Sequence, residues 1–160
     1  NIKKNKFLSK NEFENSINRK LFSKNIIVTF HPVTLENSTA KEQFQELLDA
    51  IDELADTNII YTKANSDTDG RGINQMCDDY VSQNSHKSVV FTSLGQLRYL
   101  SALQYVDAVV GNSSSGLAEA PSFGAPAMYY DKSSAGAKAY LALAGEIIRR
   151  AEQQTQPKQA

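Results

Sequence analysis

The sequence predicts an α/β protein built on one doubly wound parallel sheet of five strands, and three observations carry that prediction. Five short runs rich in β-branched and aromatic residues, at 25–30, 58–62, 88–92, 108–110 and 127–130, read as buried strands. Stretches with apolar residues at helical spacing alternate with them. The connections are short. Strand–helix alternation of this kind closes as a Rossmann-like, three-layer α/β/α sandwich with right-handed crossovers.

The first helix opens at Ser9-Lys-Asn-Glu12, a capping box in which the serine oxygen accepts an orphan N–H and the glutamate reaches back. Phe13, Ile17 and Leu21 follow at helical spacing. Strand one, Asn25–Phe30, stops at His31-Pro32, because proline has no N–H for a ladder. Thr39-Ala-Lys-Glu42 reads as a second capping box, opening a helix whose apolar stripe is Phe44, Leu47, Leu48, Ile51 and Leu54. Strand two is Asn58–Thr62. The run Asn65-Ser-Asp-Thr-Asp-Gly-Arg-Gly72 is dense in turn formers and reads as a loop, with a helix through Ile73–Val81 after it.

Strand three is Ser88–Thr92, and Leu97, Leu100 and Leu103 mark a helix over Leu94–Tyr105. Strand four, Ala108–Val110, is broken by Gly111–Ser115, and a helix through Leu117–Ala120 is interrupted near Pro121. Ala127–Tyr130 is strand five. Tyr140, Ala144, Ile147 and Ala151 lie on one face of a last helix, about 134–152, with Tyr140, Ile147 and Ile148 expected against the sheet. The tail 154–160 is polar and reads as frayed.

Composition bounds the function. A chain of 160 residues, 41% hydrophobic and 22% charged, suits one soluble globular domain. The net charge of −1 makes no case for a nucleic-acid partner, and no apolar run is long enough for a bilayer. Residues 1–24 carry seven basic side chains against Glu12 and Glu14, leaving +5 there and −6 on the rest. Such a segment is either a solvated helix face or a basic arm. The single cysteine, Cys77, excludes an intrachain disulfide and a cysteine-built metal site, and no metal or cofactor is implied. The opening NIKKNKFLSK lacks the apolar core of a signal peptide, so a cytoplasmic, monomeric protein is expected.

Ligands of open parallel sheets bind beyond the carboxyl ends of the strands. Three segments fall there: Thr29–Glu36, Asn65–Gly72 and Gly111-Asn-Ser-Ser-Ser-Gly116. In the last, small residues let a phosphate approach the free N–H groups of a helix start, and Ser113, Ser114 and Ser115 add hydroxyl donors. Glu119, about one turn further on, can accept both hydroxyls of a ribose. The alternative is that Asn112 or a serine caps the helix. His31 is either a proton carrier or a hydrogen-bonded structural residue, and Arg71 either a phosphate contact or an exposed turn arginine. His86, beside Lys87, reads as solvated. The Walker, dinucleotide and nucleophile-elbow glycine motifs are all absent.

The motifs carry two resemblances. From residue 1 to about 124 the chain resembles the C-terminal, nucleotide-binding half of hydrolysing UDP-N-acetylglucosamine 2-epimerases of the sialic-acid type. The carriers are Val28–Glu36, Asn65–Arg71, Ser93–Leu100 and Gly111–Gly124. Residues 119–153 are similar to the C-terminal strand and helix of ParA-like chromosome-partitioning ATPases, which share Glu-Ala-Pro-Ser-Phe-Gly at 119–124. Together they imply a chimera: one domain over 1–160, epimerase-like to 124 and partition-ATPase-like from 125 to 153.

The first resemblance implies that His31 faces the diphosphate as a vestigial catalytic residue and Tyr99 stacks on uracil. It also implies that Ser113, Ser114 and Ser115 cradle phosphate, Glu119 binds ribose, and Asn65 and Arg71 lie near the nucleotide. The family's acid and base carboxylates belong to its N-terminal domain, and Asp131 stands near where its basic segment would lie. The implied function is a non-catalytic domain with weak affinity for UDP or a UDP-sugar. An active epimerase fragment is the alternative, and a partition-type ATPase is a remote one.

Overall fold

The computed structural model describes residues 6–32, 39–64, 68–111 and 127–129. Helix α1 (Lys10–Ser16) starts with the capping box in place: Ser9 N–H donates to Glu12 Oε2 at 2.8 Å, and Glu12 N–H donates to Ser9 Oγ at 3.4 Å. It stops earlier than the apolar spacing implied, leaving Leu21 outside. Asn18 turns left-handed at φ +50°, and Asn18 and Arg19 N–H donate to the carbonyls of Asn15 and Glu14. Those bonds satisfy the last carbonyls and end the helix.

Strand β1 (Lys24–Thr29) leads to α2 (Ala40–Asp52), β2 (Thr57–Thr62), α3 (Thr68–Gln83), β3 (Ser88–Phe91), α4 (Gly95–Ala102), β4 (Ala108–Gly111) and β5 (Ala127–Tyr129). All five strands are parallel, in the order β3-β2-β1-β4-β5. The predicted doubly wound sheet is therefore present. The connection through α2 and α3 carries the chain outward from β1 on one side. The connection through α4 brings it back to the other side of β1. The order reverses between β1 and β4.

Two expectations about helix starts need correction. The Thr39 capping box does not form: Thr39 sits at φ −104°, ψ −12° with no side-chain capping bond, and its Oγ1 instead accepts from Gln43 Nε2 at 3.3 Å. A cap needs an extended backbone at that residue, which Ser9 has at ψ 164° and Thr39 lacks. Residues 68–72, read as loop, are the first turns of α3. Gly70 and Gly72 weaken a helix by roughly 0.5–1 kcal/mol each, but tertiary contacts outweigh them. Ile73, Cys77 and Tyr80 are buried one turn apart on α3, and a Cβ on Gly72 would lie 2.7 Å from Lys41 Cε of α2. Helix α4 is shorter than Leu94–Tyr105 because residues 103–105 form turns. The helices expected at 117–120 and 134–152, with Tyr140, Ile147, Ile148 and the tail, lie outside the described residues.

Alternating side chains send each strand into two cores. Ile26, Val28, Ile59 and Tyr61 face α2 and α3, meeting Phe44, Leu47, Leu48 and Ile51. Ile27, Ile60 and Val109 face α1 and α4, meeting Phe13, Ile17, Leu100 and Leu103. Burying each such side chain contributes roughly 1.5–3 kcal/mol, so both layers are needed. At the amino edge the polar groups pair with one another. Asn58 Nδ2 donates to Asn25 Oδ1 at 3.2 Å, Asn25 N–H donates to Asp107 Oδ2 at 2.7 Å, and Arg19 Nε donates to Asn58 Oδ1.

Candidate functional site at the carboxyl edge of the sheet

The last register row of the sheet crosses all five strands: Phe91, Thr62, Thr29, Gly111 and Tyr129. Thr29 and Thr62 continue the side of the sheet that holds Ile27 and Ile60, the side facing α1 and α4. One step back on that side the row is Val89, Ile60, Ile27, Val109 and Ala127, all apolar. Polarity therefore changes abruptly at the edge. The Thr29 and Thr62 hydroxyls hydrogen-bond to each other across β1 and β2.

Gly111 closes this row beside Thr29, where the strand order reverses. Its φ is +141°, and a Cβ there would lie 1.8 Å from the Thr29 carbonyl oxygen. Only glycine permits so close an approach. His31, two residues beyond Thr29, is half-buried at the carboxyl end of the neighbouring strand. The fold thus brings His31 and the start of the Gly111–Gly116 segment to the crevice where open α/β sheets hold ligands.

The other predicted residues divide. Tyr99 lies on α4, half-buried against the core shared with α1. Arg71 is exposed, but on the helix α3 rather than in a loop. His86 is exposed, as expected. Asn65, Ser113, Ser114, Ser115, Glu119 and Asp131 lie outside the described residues.

Several supporting residues were not anticipated. Asn74 on α3 holds the chain leaving β2: Ala64 N–H donates to its Oδ1 at 2.9 Å, and its Nδ2 donates to the Ala64 carbonyl at 3.2 Å. Arg98 on α4 does the same after β3, donating from Nε to the Leu94 carbonyl at 2.8 Å and from Nη2 to the Ser93 carbonyl at 3.1 Å. Its guanidinium lies 5.4 Å from the Phe91 ring centroid, placing positive charge at one end of the row. Thr29 and Thr62 end their strands one register step beyond Ile26–Val28 and Ile59–Tyr61. The matching order Asn-Ile-Ile-x-Thr in both strands was the available signal. Among the described residues, no cluster of three or more His, Cys, Asp or Glu could hold a metal ion. No helix among them is long and apolar enough to cross a membrane.

Residues 1–142 match the family described as UDP-N-acetylglucosamine 2-epimerase. The chain belongs to that family. It is 38% identical over 125 residues to the hydrolysing GDP/UDP-N,N'-diacetylbacillosamine 2-epimerase of Campylobacter jejuni, covering 78% of this chain and 33% of that protein. The chain therefore spans about a third of that relative's length. The fold of this epimerase-family chain is similar to that of the S. aureus MnaA–UDP co-structure, with a TM-score of 0.64 over 92% of this chain and 42% of that one, at 14% identity. Over 34 residues the chain is 76% identical to an uncharacterized protein of Pseudomonas putida, covering 21% of this chain and 13% of that protein. The epimerase match runs to residue 142, past the junction at Gly124 that the two resemblances imply.

Proposed function

We propose that these 160 residues form a uridine-nucleotide-binding domain of the epimerase family that holds UDP or a UDP-sugar weakly and performs no turnover alone. The observation that carries the reading is a carboxyl edge, in a chain of this family, where Gly111 ends β4 beside Thr29 of β1, with His31 two residues further on, at the reversal of strand order. In this reading the Gly111–Gly116 segment, with Ser113, Ser114 and Ser115, cradles phosphate, and His31 faces the diphosphate. Tyr99 stacks on uracil, Glu119 accepts the ribose hydroxyls, and Asn65 and Arg71 border the nucleotide. The solved relative named for its UDP supports the choice of ligand.

Epimerisation needs acid and base groups on both sides of the sugar, and the family resemblance assigns those carboxylates to its other domain. With one wall of the cleft the diphosphate stays wet, and charged hydrogen bonds lose strength in a high dielectric. The expected affinity is near millimolar, about −4 kcal/mol. UDP titrated into the isotope-labelled chain shifts the backbone resonances of Ser113, Ser114 and Ser115 first, and Ser113→Asp abolishes those shifts. Saturating UDP that leaves them unmoved overturns the binding reading. Release of UDP from UDP-N-acetylglucosamine that tracks the purified chain and disappears with His31→Ala overturns the absence of turnover.

The same reading holds that the chain is a composite, joined within Glu119–Gly124, with a partition-ATPase-like strand and helix over 125–153. The observation favouring it is the stretch of 34 residues at 76% identity, far above the 38% found in the epimerase match. A crystal structure tests it. The last strand and helix should complete one five-stranded sheet with Tyr140, Ile147 and Ile148 buried against it, and residues 127–152 disordered or swapped into a neighbouring chain would overturn it.

A further inference from the structure

We infer that the paired hydroxyls of Thr29 and Thr62 donate a hydrogen bond to a phosphoryl oxygen of the bound nucleoside diphosphate. The inference rests on the nucleotide reading above and adds to it a pair of residues that neither resemblance assigns. Two hydroxyls own two O–H donors, and their mutual bond uses one. Among the described residues the second donor has no partner. A half-buried donor without an acceptor is disfavoured unless solvent or a ligand completes it.

Place decides between those two. The pair sits in the last register row, next to Gly111, where the strand order reverses. Ile27 and Ile60, both wholly buried, close the floor immediately behind it. A ligand at this edge therefore meets the hydroxyls before it meets hydrocarbon. An acceptor-only group suits the second O–H donor, because it asks for no acceptor in return. Phosphoryl oxygen is such a group, and the Arg98 guanidinium over Phe91 biases the row toward an anion.

The test replaces both hydroxyls with methyl groups, Thr29→Val together with Thr62→Val, keeping size and branching. UDP and uridine are then titrated into the whole chain by NMR. The expected result is UDP binding roughly tenfold weaker with uridine binding unchanged, and Thr29→Ser with Thr62→Ser restoring UDP binding. On the unaltered chain, UDP shifts the methyl resonances of Thr29 and Thr62 and uridine does not, a measurement that stands if the valine variant fails to fold. Equal weakening of UDP and uridine, undiminished UDP binding by the valine variant, or unmoved threonine methyls overturns the inference. If the unaltered chain binds no UDP, the nucleotide reading falls and this inference with it. If it binds UDP and only the threonine results fail, the reading stands alone.

Discussion

Replacing Gly111 with alanine tests how the crevice between β1 and β4 is built. At φ +141° the new Cβ would lie 1.8 Å from the Thr29 carbonyl oxygen and 2.7 Å from its carbon. Carbon–oxygen contacts settle at about 3.3 Å, so a backbone must move by more than an ångström. No rotamer change can relieve the clash, since the obstacle is main chain. Holding alanine in that region of φ costs of order 1–3 kcal/mol. Parting β4 from β1 at the Thr29–Gly111 position forfeits roughly another 1 kcal/mol of pairing. The sum, about 2–4 kcal/mol, is a large share of a typical domain stability of about 5–15 kcal/mol. With a urea m-value of about 2 kcal/mol/M, the midpoint should fall by roughly 1–2 M with the slope unchanged. Urea unfolding followed by far-ultraviolet circular dichroism measures it. A midpoint within about 0.2 M of the unaltered chain would refute the argument, because the strands would then not be held at that distance.

Three further outcomes follow from groups away from the edge. Asn58→Ala removes the acceptor of Arg19 Nε and one of the two donors to Asn25 Oδ1 at the amino edge and should cost about 1–3 kcal/mol, read as a lowered melting temperature; an exposed control, Asn11→Ala, should change little. The Glu14 carboxylate accepts from Lys20 Nζ at 2.7 Å and from Leu21 N–H at 3.0 Å, which holds its pKa below the ordinary range. Its contribution is present above the unfolded carboxylate pKa and is lost as pH falls through the lower folded value. Glu14→Gln should therefore flatten the acid limb of a melting-temperature profile, and an unchanged limb would contradict the assignment. Burial, aided by the Asp78 charge, pushes the Cys77 thiol up to about 12, so iodoacetamide at pH 8 should label the chain in urea and leave the native protein unlabelled.

The strands were legible because a parallel strand buried on both faces is a continuous apolar run, and Ile26–Val28 and Ile59–Tyr61 are such runs. The α2 stripe was legible for a related reason: Phe44, Leu47, Leu48 and Ile51 repeat at the period of a helix, and all are buried. What failed was local chemistry read without its surroundings. Ser9 and Thr39 head similar tetrapeptides, but the helical ψ of Thr39 itself prevents the cap, and tertiary packing keeps Gly70 and Gly72 in a helix. At the candidate site, His31 and Gly111 could be placed because strand ends locate them. The Thr29–Thr62 pair could not, since it joins residues far apart in sequence through a register visible only in the folded sheet. Asn74 and Arg98 were hidden likewise, because the carbonyls they hold belong to neighbouring loops.

The two Asn-Ile-Ile-x-Thr segments also bear on how the sheet finds its alignment during folding. Isoleucine against isoleucine is a permissive pairing. A β2 slid along β1 by two residues keeps each side chain on its original face, so apolar contact alone discriminates poorly between the native and slipped sheets. The ends of the segments resolve the ambiguity. A two-residue slide would place the buried Asn58 amide beside hydrocarbon, separate Thr62 from Thr29, and leave Arg19 reaching for a partner that has moved. Stranding those groups penalises the misaligned sheet by several kcal/mol, while the native alignment satisfies both ends together. The polar rungs thus remove a kinetic trap that a smoother, wholly aliphatic pair of strands would offer, and they do so at opposite edges of the same two strands.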